Sequence, residues 1–297
     1  MRLLIATVAI AAGSSQAAPI DDALEALNRQ DYPTALRLFR SLALAGNAAA
    51  RYNLGVMYAK GAGVPRDMQE AAVWIRMAAE QGRPDAQHAL GAMYAIGIGV
   101  PKDEEQALSW IRKAAAQGEA KAQYNLGIVF LTGAAVPKDE QQALSWFRKA
   151  AEQGEAESQF NIGAMYSTGI GVPIDEEYAL SWFRKAAEQG LPHAEFAVGF
   201  AYANGRGVPQ SDEQAVSWYR QAAERGHIPA QFNLGRMLAN GKGVPNDNQQ
   251  AYFWLLLASV SGDGDAARER GLVESRITAA QRAAAQTDAR TWKPRQP

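Results

Sequence analysis

The sequence lacks cysteine altogether, and it lacks an excess of charge of either sign. With no cysteine among its 297 residues, it can form no disulfide, thiolate metal site or thiol nucleophile. The 30 Lys and Arg residues are balanced by 31 Asp and Glu residues. Because nucleic-acid binding depends on a basic surface that displaces counterions, this balance argues against a nucleic-acid partner.

Long hydrophobic runs are also lacking, with one short exception at the start of the chain. Arg2 precedes an apolar run from Leu3 to Ala12, and small residues follow as far as Ala17. A membrane-spanning helix needs about 20 apolar residues, so this run is too short to be one. The pattern is typical of a secretory signal peptide. We predict a signal peptide over residues 1–17, cleavage near Ala17 and a periplasmic or secreted mature protein; a buried first helix is the alternative.

Patterns that would carry chemistry are sparse. His88, His193 and His227 form no metal-binding spacing, and the Gly-x-Gly loops lack the Lys-Ser or Lys-Thr of a phosphate-binding loop. The serines that precede the recurring tryptophans begin no S-x-x-K motif, as at Ser145. We therefore predict no catalytic residue, metal or cofactor, and a protein that is not an enzyme.

What the sequence has in abundance is an internal repeat of 36 residues. Glycines keep this period from Gly55 to Gly235 and from Gly61 to Gly241, and a Val-Pro pair recurs with them. The tryptophans that share the period are Trp74, Trp110, Trp146, Trp182, Trp218 and Trp254. A fixed period of this length indicates stacked supersecondary units.

Each repeat is predicted to form two helices, which we name helix A and helix B. In the first repeat, apolar residues recur at helical spacing from Ala50 to Tyr58, and Gly61 suits the left-handed end of helix A. Asp67 is placed to cap helix B, which carries Trp74. Since one pair cannot bury its apolar faces alone, neighbours must stack, and we expect the tryptophans to fill the space between pairs.

The fold class predicted from this pattern is an all-α solenoid of helix pairs. Residues 18–49 are expected to form an N-terminal capping pair, residues 266–292 two C-terminal capping helices, and residues 293–297 a disordered tail. The six repeats between the caps, over residues 50–265, are assigned to 50–85, 86–121, 122–157, 158–193, 194–229 and 230–265.

The repeat resembles the Sel-one-like repeat, a relative of the tetratricopeptide repeat. The copy that begins at Ala122 carries its motif through Leu126, Gly127 and Gly133 to Asp139 and Trp146. The resemblance implies a right-handed α-α superhelix and an adaptor role in the bacterial envelope or secreted space, with a protein or peptide segment as the partner. This is an argument from fold alone.

Two other functions are implied less directly. A cysteine-rich branch of the family is linked to penicillin binding and β-lactamase activity, but this chain lacks the cysteines that define that branch. Rows of aromatic side chains can also stack on sugars, so a cell-wall glycan binder is the second alternative.

By analogy with tetratricopeptide folds, helix A residues would line a concave groove that is aromatic and nearly uncharged. The alternative is that these aromatics pack between repeats. The principal column is Tyr52, His88, Tyr124, Phe160, Phe196 and Phe232. The column beside it is Val56, Ala92, Ile128, Ala164, Phe200 and Arg236. One helical turn on stand Lys60, Ile96, Thr132, Thr168, Asn204 and Asn240.

A line of Arg-Lys pairs on helix B, such as Arg148-Lys149, is a second charged feature. Acidic residues open the same helices, an arrangement that complements the helix dipole. A solvated outer face is the favoured interpretation, and a surface for an acidic partner is the alternative.

Overall fold

The computed structural model describes residues 18–260 and 264–295, which form sixteen helices and no strands. The predicted all-α solenoid of helix pairs is confirmed. The described helices fall into two compact units, which divide within one helix between Ala122 and Gln123. The predicted signal peptide, residues 1–17, lies outside the described residues.

In the first unit each helix packs against the next along the chain. Its helices are α1 (Ala18–Asn28), α2 (Tyr32–Leu44), α3 (Ala48–Lys60), α4 (Met68–Glu80), α5 (Pro84–Ile96) and α6 (Glu104–Ala116). The pairs α3–α4 and α5–α6 are helices A and B of the first two repeats.

The dividing helix, α7 (Ala120–Thr132), is helix A of the third repeat. The second unit continues with α8 (Glu140–Glu152), α9 (Ala156–Thr168), α10 (Glu176–Glu188), α11 (Pro192–Asn204), α12 (Asp212–Glu224), α13 (Ile228–Asn240), α14 (Asn248–Ser259), α15 (Gly264–Glu274) and α16 (Ala279–Thr291). No helix of the described ranges combines the length and apolar character needed to cross a bilayer.

Sequence signals at the helix ends act as expected. Asp67 accepts hydrogen bonds from the backbone of Gln69 and Glu70, and Gly61 ends α3 with φ 71°. The second loop glycine is needed for a different reason, since a Cβ on Gly99 would overlap the carbonyl oxygen of Met68. In the third repeat Ala135 takes the glycine's left-handed conformation, with φ 63°.

Helices A and B meet at a glycine, and the ring that packs there is not the tryptophan. A Cβ on Gly127 would lie 2.6 Å from Phe147, and one on Gly163 would lie 2.7 Å from Phe183. Phe147 is fully buried, whereas the preceding Trp146 is only partly buried. Inside each pair it is therefore the residue after the tryptophan that packs against the glycine. The partly buried tryptophans pack against the core of the preceding pair, as Trp182 does against the cluster around Phe147, and this agrees with the prediction that they lie between pairs.

In the last repeat the tryptophan itself, Trp254, is buried. Helices α15 and α16 both pack against α14, and Trp292 makes an edge contact with Trp254 at a centroid distance of 6.2 Å. The expected disorder of the tail does not hold for residues 293–295, because the Arg295 amide donates to the Glu224 carbonyl at 2.8 Å. Residues 296 and 297 lie outside the described part.

Candidate functional site

Side chains of the predicted aromatic column pack against helix B of their own repeat and remain partly exposed to solvent. Phe160 lies 5.4 Å from the Phe183 ring of its own repeat, and Phe196 lies 5.5 Å from Tyr219. Both column residues are nevertheless partly exposed. The two interpretations left open by the sequence, groove and packing, both describe these side chains.

The second unit brings part of the column together around a concave pocket of about 240 Å³. Phe160 and Phe196 form its aromatic wall, and His193 makes an edge contact with Phe160 at 4.3 Å. Phe200 completes the wall with 39% of its surface exposed, a large fraction for a phenylalanine. This pocket can hold a large apolar side chain.

A second pocket of about 260 Å³ begins on the other side of Phe200. Arg236 and Lys242 line it together with the side-chain amides of Asn204, Asn233 and Asn240. The two pockets share Phe200 and follow successive A helices, α9, α11 and α13. They form one continuous surface, which we call the groove.

Other predicted site residues of the second unit lie outside the two pockets. Tyr124 and Ile128 pack against the core around Phe147, and Phe232 packs against the core around Trp254. Thr132 and Thr168 are exposed, but each hydroxyl donates to a carbonyl of its own helix.

The predicted site residues of the first unit, Tyr52 and His88, lie outside the pocket around Met68 and the pocket around Pro84. The Arg83 guanidinium lies 5.5 Å from the Tyr52 ring centroid. His88 lies 3.8 Å from Glu119, and burial lowers the pKa of its imidazole.

The expectation of a nearly uncharged groove is wrong, because cations enter from the loops after the A helices. Arg206 reaches the first pocket and Lys242 the second. Each occupies the position between the two loop glycines, where Ala134 and Ile170 stand in earlier repeats. The loop contribution was missed because the groove was assigned to helix A alone.

A row of buried glutamines, which is not among the predicted site residues, joins successive repeats. Gln87 donates to the Ala79 carbonyl of the preceding repeat at 3.1 Å and accepts from Gln117 of its own repeat at 2.8 Å. Gln159 and Gln189 repeat the pairing at 2.9 Å. Glutamine at 36-residue spacing was the signal in the sequence. The Gln87 and Gln159 side chains position α5 and α9 relative to the B helices on either side.

In the fifth repeat this pair is replaced by Glu195 and Arg225. The Arg225 Nε donates to Glu195 Oε1 at 3.0 Å, and Glu195 is 1% exposed. Burial raises the pKa of the Glu195 carboxyl, because it outweighs the opposing effect of Arg225. The replacement keeps the link between the helices while exchanging an amide pair for an ion pair.

Side chains of the predicted basic line on helix B are engaged within the molecule. The Arg148 guanidinium donates to the Tyr166 hydroxyl at 2.7 Å, and Arg184 donates to Tyr202 at the same distance. The Lys149 ammonium lies 4.0 Å from the Trp146 ring centroid. These contacts account for the line without an acidic partner.

The histidine behind Phe196 is held neutral. His227 is the N-cap of α13, and its Nδ1 accepts from the Ala230 amide at 3.3 Å. Burial, followed by the effect of His193, lowers the His227 pKa to about 4. Among residues 18–260 and 264–295, no group of three His, Asp or Glu side chains could hold a metal ion.

Stacked helix pairs carrying a groove on successive A helices define a helical-repeat protein of the tetratricopeptide-like class. The Sel1 repeat model matches residues 29–47, 48–82, 84–119, 120–155, 156–191, 192–227 and 228–263. The chain belongs to the Sel1 repeat family. The first match falls within the predicted N-terminal capping pair.

Solved structures that resemble this chain include two at more than 30% identity. A Sel1 repeat protein from Oxalobacter formigenes is 36% identical with a TM-score of 0.78, over 82% of this chain and 99% of that protein. A protective antigen of uropathogenic Escherichia coli strains with an SLR fold is 32% identical with a TM-score of 0.57, over 87% of this chain and 63% of that protein. No curated protein matches the chain.

Membership of this family gives a general function. Sel1 repeat proteins are generally protein-interaction scaffolds, and the fold is typically not enzymatic. A protein partner follows from the class of fold, whereas the position of the contact must be argued from the side chains.

Proposed function

We propose that this protein is a non-enzymatic scaffold that binds a segment of a partner protein in the groove of its second unit. The observation that carries the proposal is Phe200, a large apolar side chain 39% exposed at the junction of two concave pockets. Interfaces concentrate their binding energy in a few aromatic or Arg anchors surrounded by weaker contacts. Phe200, Arg206 and Arg236 are anchors of this kind.

The proposed setting is the periplasm or the exterior of the cell, after cleavage near Ala17. Support comes from Arg2 and the apolar run that follows it. The intact mass of protein isolated from its native cells should lack residues 1–17. A native protein that keeps these residues in the cytoplasm would refute this placement.

A crosslinked pull-down from an envelope extract, followed by mass spectrometry, would identify the partner. Calorimetry with the purified partner would then compare Phe200→Glu, in the groove, with Lys149→Glu, on the outer face of helix B. We expect Phe200→Glu to weaken binding at least tenfold, because a charge would replace an apolar anchor. Circular dichroism provides the control for folding.

The result that would overturn the proposal is normal binding by folded Phe200→Glu together with loss of binding by Lys149→Glu. The outer face would then be the site. Retention of purified cell-wall glycan, with no protein captured, would equally contradict a protein partner. A covalent adduct with labelled penicillin would contradict the non-enzymatic assignment.

A further inference from the structure

Three cations of the second unit break the 36-residue period at exposed positions. Residues that every repeat shares maintain the fold. An exposed residue that differs from its counterparts in other repeats is not needed for the fold. Arg206 and Lys242 stand where Ala134 and Ile170 occur in the third and fourth repeats, and Arg236 stands where Ile128 and Ala164 occur. The second unit thus changes from apolar to cationic along its successive repeats.

All three cations border the groove and are accessible. Arg206 lines the first pocket, where its guanidinium lies 5.4 Å from the Phe200 ring centroid. Arg236 and Lys242 line the second pocket. Their side chains are 50%, 49% and 51% exposed, in the order Arg206, Arg236 and Lys242.

Each of these cations lies near an acidic side chain, but neither arginine is within hydrogen-bond distance of its acid. Arg206 Nη1 lies 3.7 Å from Glu176 Oε1, and Arg236 Nε lies 3.9 Å from Glu269 Oε1. Both distances exceed that of a hydrogen bond. Lys242 lies 3.1 Å from Asp212. Because exposed ion pairs are weak, a partner's carboxylate can join or replace these contacts at little cost.

We propose that the groove takes an extended segment with a large apolar side chain in the first pocket and an acidic side chain in the second. This inference rests on the function proposed above and adds the chemistry of the partner. The apolar side chain would lie against Phe160, Phe196 and Phe200. The acidic side chain would meet Arg236 and Lys242. The Asn204 and Asn240 amides beside them donate to carbonyls of their own helices, which leaves their side-chain oxygens to accept from the peptide backbone.

The geometry sets the spacing between the two side chains. The pockets follow successive A helices, whose separation we take as about 10 Å, the upper value for neighbouring packed helices. Since an extended chain rises about 3.3 Å per residue, the acidic residue should follow or precede the apolar one by roughly three positions.

The test uses short synthetic peptides with an N-terminal fluorophore and an amidated C-terminus on a Gly-Ser background. Each carries Phe and, three residues away in either direction, Asp, Asn or Lys. Fluorescence anisotropy with the full-length protein should show the Asp peptide binding roughly tenfold more tightly than the Lys peptide at low salt. The difference should shrink at high salt.

Charge reversal in the groove provides the decisive comparison. The double variant Arg236→Glu/Lys242→Glu should reverse the preference, so that the Lys peptide binds more tightly than the Asp peptide. Lys138→Glu is the matched control, because Lys138 is another loop cation, paired with Glu140 at 2.8 Å, and lines neither pocket. This control should keep the wild-type preference.

The possible failures are distinguishable. If the Asp, Asn and Lys peptides bind equally and Phe200→Glu abolishes binding, the acidic preference is wrong while the groove remains a binding site. If no Phe peptide binds, or if Phe200→Glu has no effect on binding, the proposed function is wrong as well. The same peptides are also made with a free C-terminal carboxylate, and tighter binding of the free-carboxylate Asn peptide than of the amidated Asp peptide would overturn the acidic side chain in favour of a chain end.

Discussion

Phe147 and Trp146 are neighbours in the chain but differ in what surrounds them. Phe147 is fully buried against Gly127, whereas Trp146 is partly exposed and carries the Lys149 ammonium above its ring. A tryptophan at every 36th residue drew attention in the sequence because it is rare and large. The residue that fixes the distance between helices A and B is the one after it.

Truncation of these two residues should therefore have unequal effects. Phe147→Ala should lower the free energy of unfolding by about 3–5 kcal/mol, because it leaves a cavity beside a glycine that cannot fill it. Trp146→Ala should cost less, about 1–2 kcal/mol. Urea unfolding followed by circular dichroism would measure both changes. A larger loss of stability for Trp146→Ala than for Phe147→Ala would contradict the packing of Phe147 against Gly127.

His227 should make part of the stability depend on pH. Its pKa is about 4 when folded, below the usual value near 6.5. The unfolded chain therefore binds more protons between these values. The contribution of His227 to stability is complete above about pH 6.5 and is lost as the pH falls towards 4.

The matched variant is His227→Asn, since Asn47 caps α3 by the same contact and does not titrate. Between pH 7 and pH 5, the melting temperature of His227→Asn should fall less than that of the wild type. The variant also loses the contact between the His227 and Phe196 rings, whose centroids are 4.8 Å apart. This loss should add only an offset that does not depend on pH. Identical pH profiles would show that His227 is not held neutral.

At the scale of the element, the A helices α5, α7, α9 and α11 each carry a polar residue near their start that pairs with a side chain after helix B of the same repeat. The pair is Gln87 with Gln117 in the second repeat and Glu195 with Arg225 in the fifth. An amide can both donate and accept, so glutamine satisfies two helices at once. A carboxylate paired with Arg gives a similar link through charge.

Removing one partner of the ion pair should be costly, whereas replacing both should not. Glu195→Ala leaves the Arg225 side chain, which is 19% exposed, without its partner and should cost roughly 3 kcal/mol. The double variant Glu195→Gln/Arg225→Gln restores the pair found in other repeats and should lie within about 1 kcal/mol of the wild type. Thermal unfolding of the three proteins tests this, and equal stability of wild type and Glu195→Ala would argue against the link.

At the scale of the whole molecule, the 36-residue repeat made the fold predictable. The groove was only partly predictable, because some of its residues differ from their counterparts in other repeats. The period located the helices because the Asp caps and left-handed glycines mark their ends locally. Phe160, Phe196 and Phe200 were anticipated because they share one face of helix A. Arg206 and Lys242 could not be anticipated in this way, because their place in the groove depends on how each loop packs against the start of helix B in the preceding repeat, as Gly207 does against Glu176.

The measurement that tests the central claim most directly is site-specific photocrosslinking to the partner protein. A benzophenone amino acid would replace Phe200, in the groove, or Ser145, an exposed residue on the outer face of helix B. Both positions belong to the second unit and are exposed, so neither replacement should disturb folding. The two variants should then differ only in contact with the partner. The account predicts a covalent complex from position 200 and none from position 145; a complex formed from position 145 alone would contradict it.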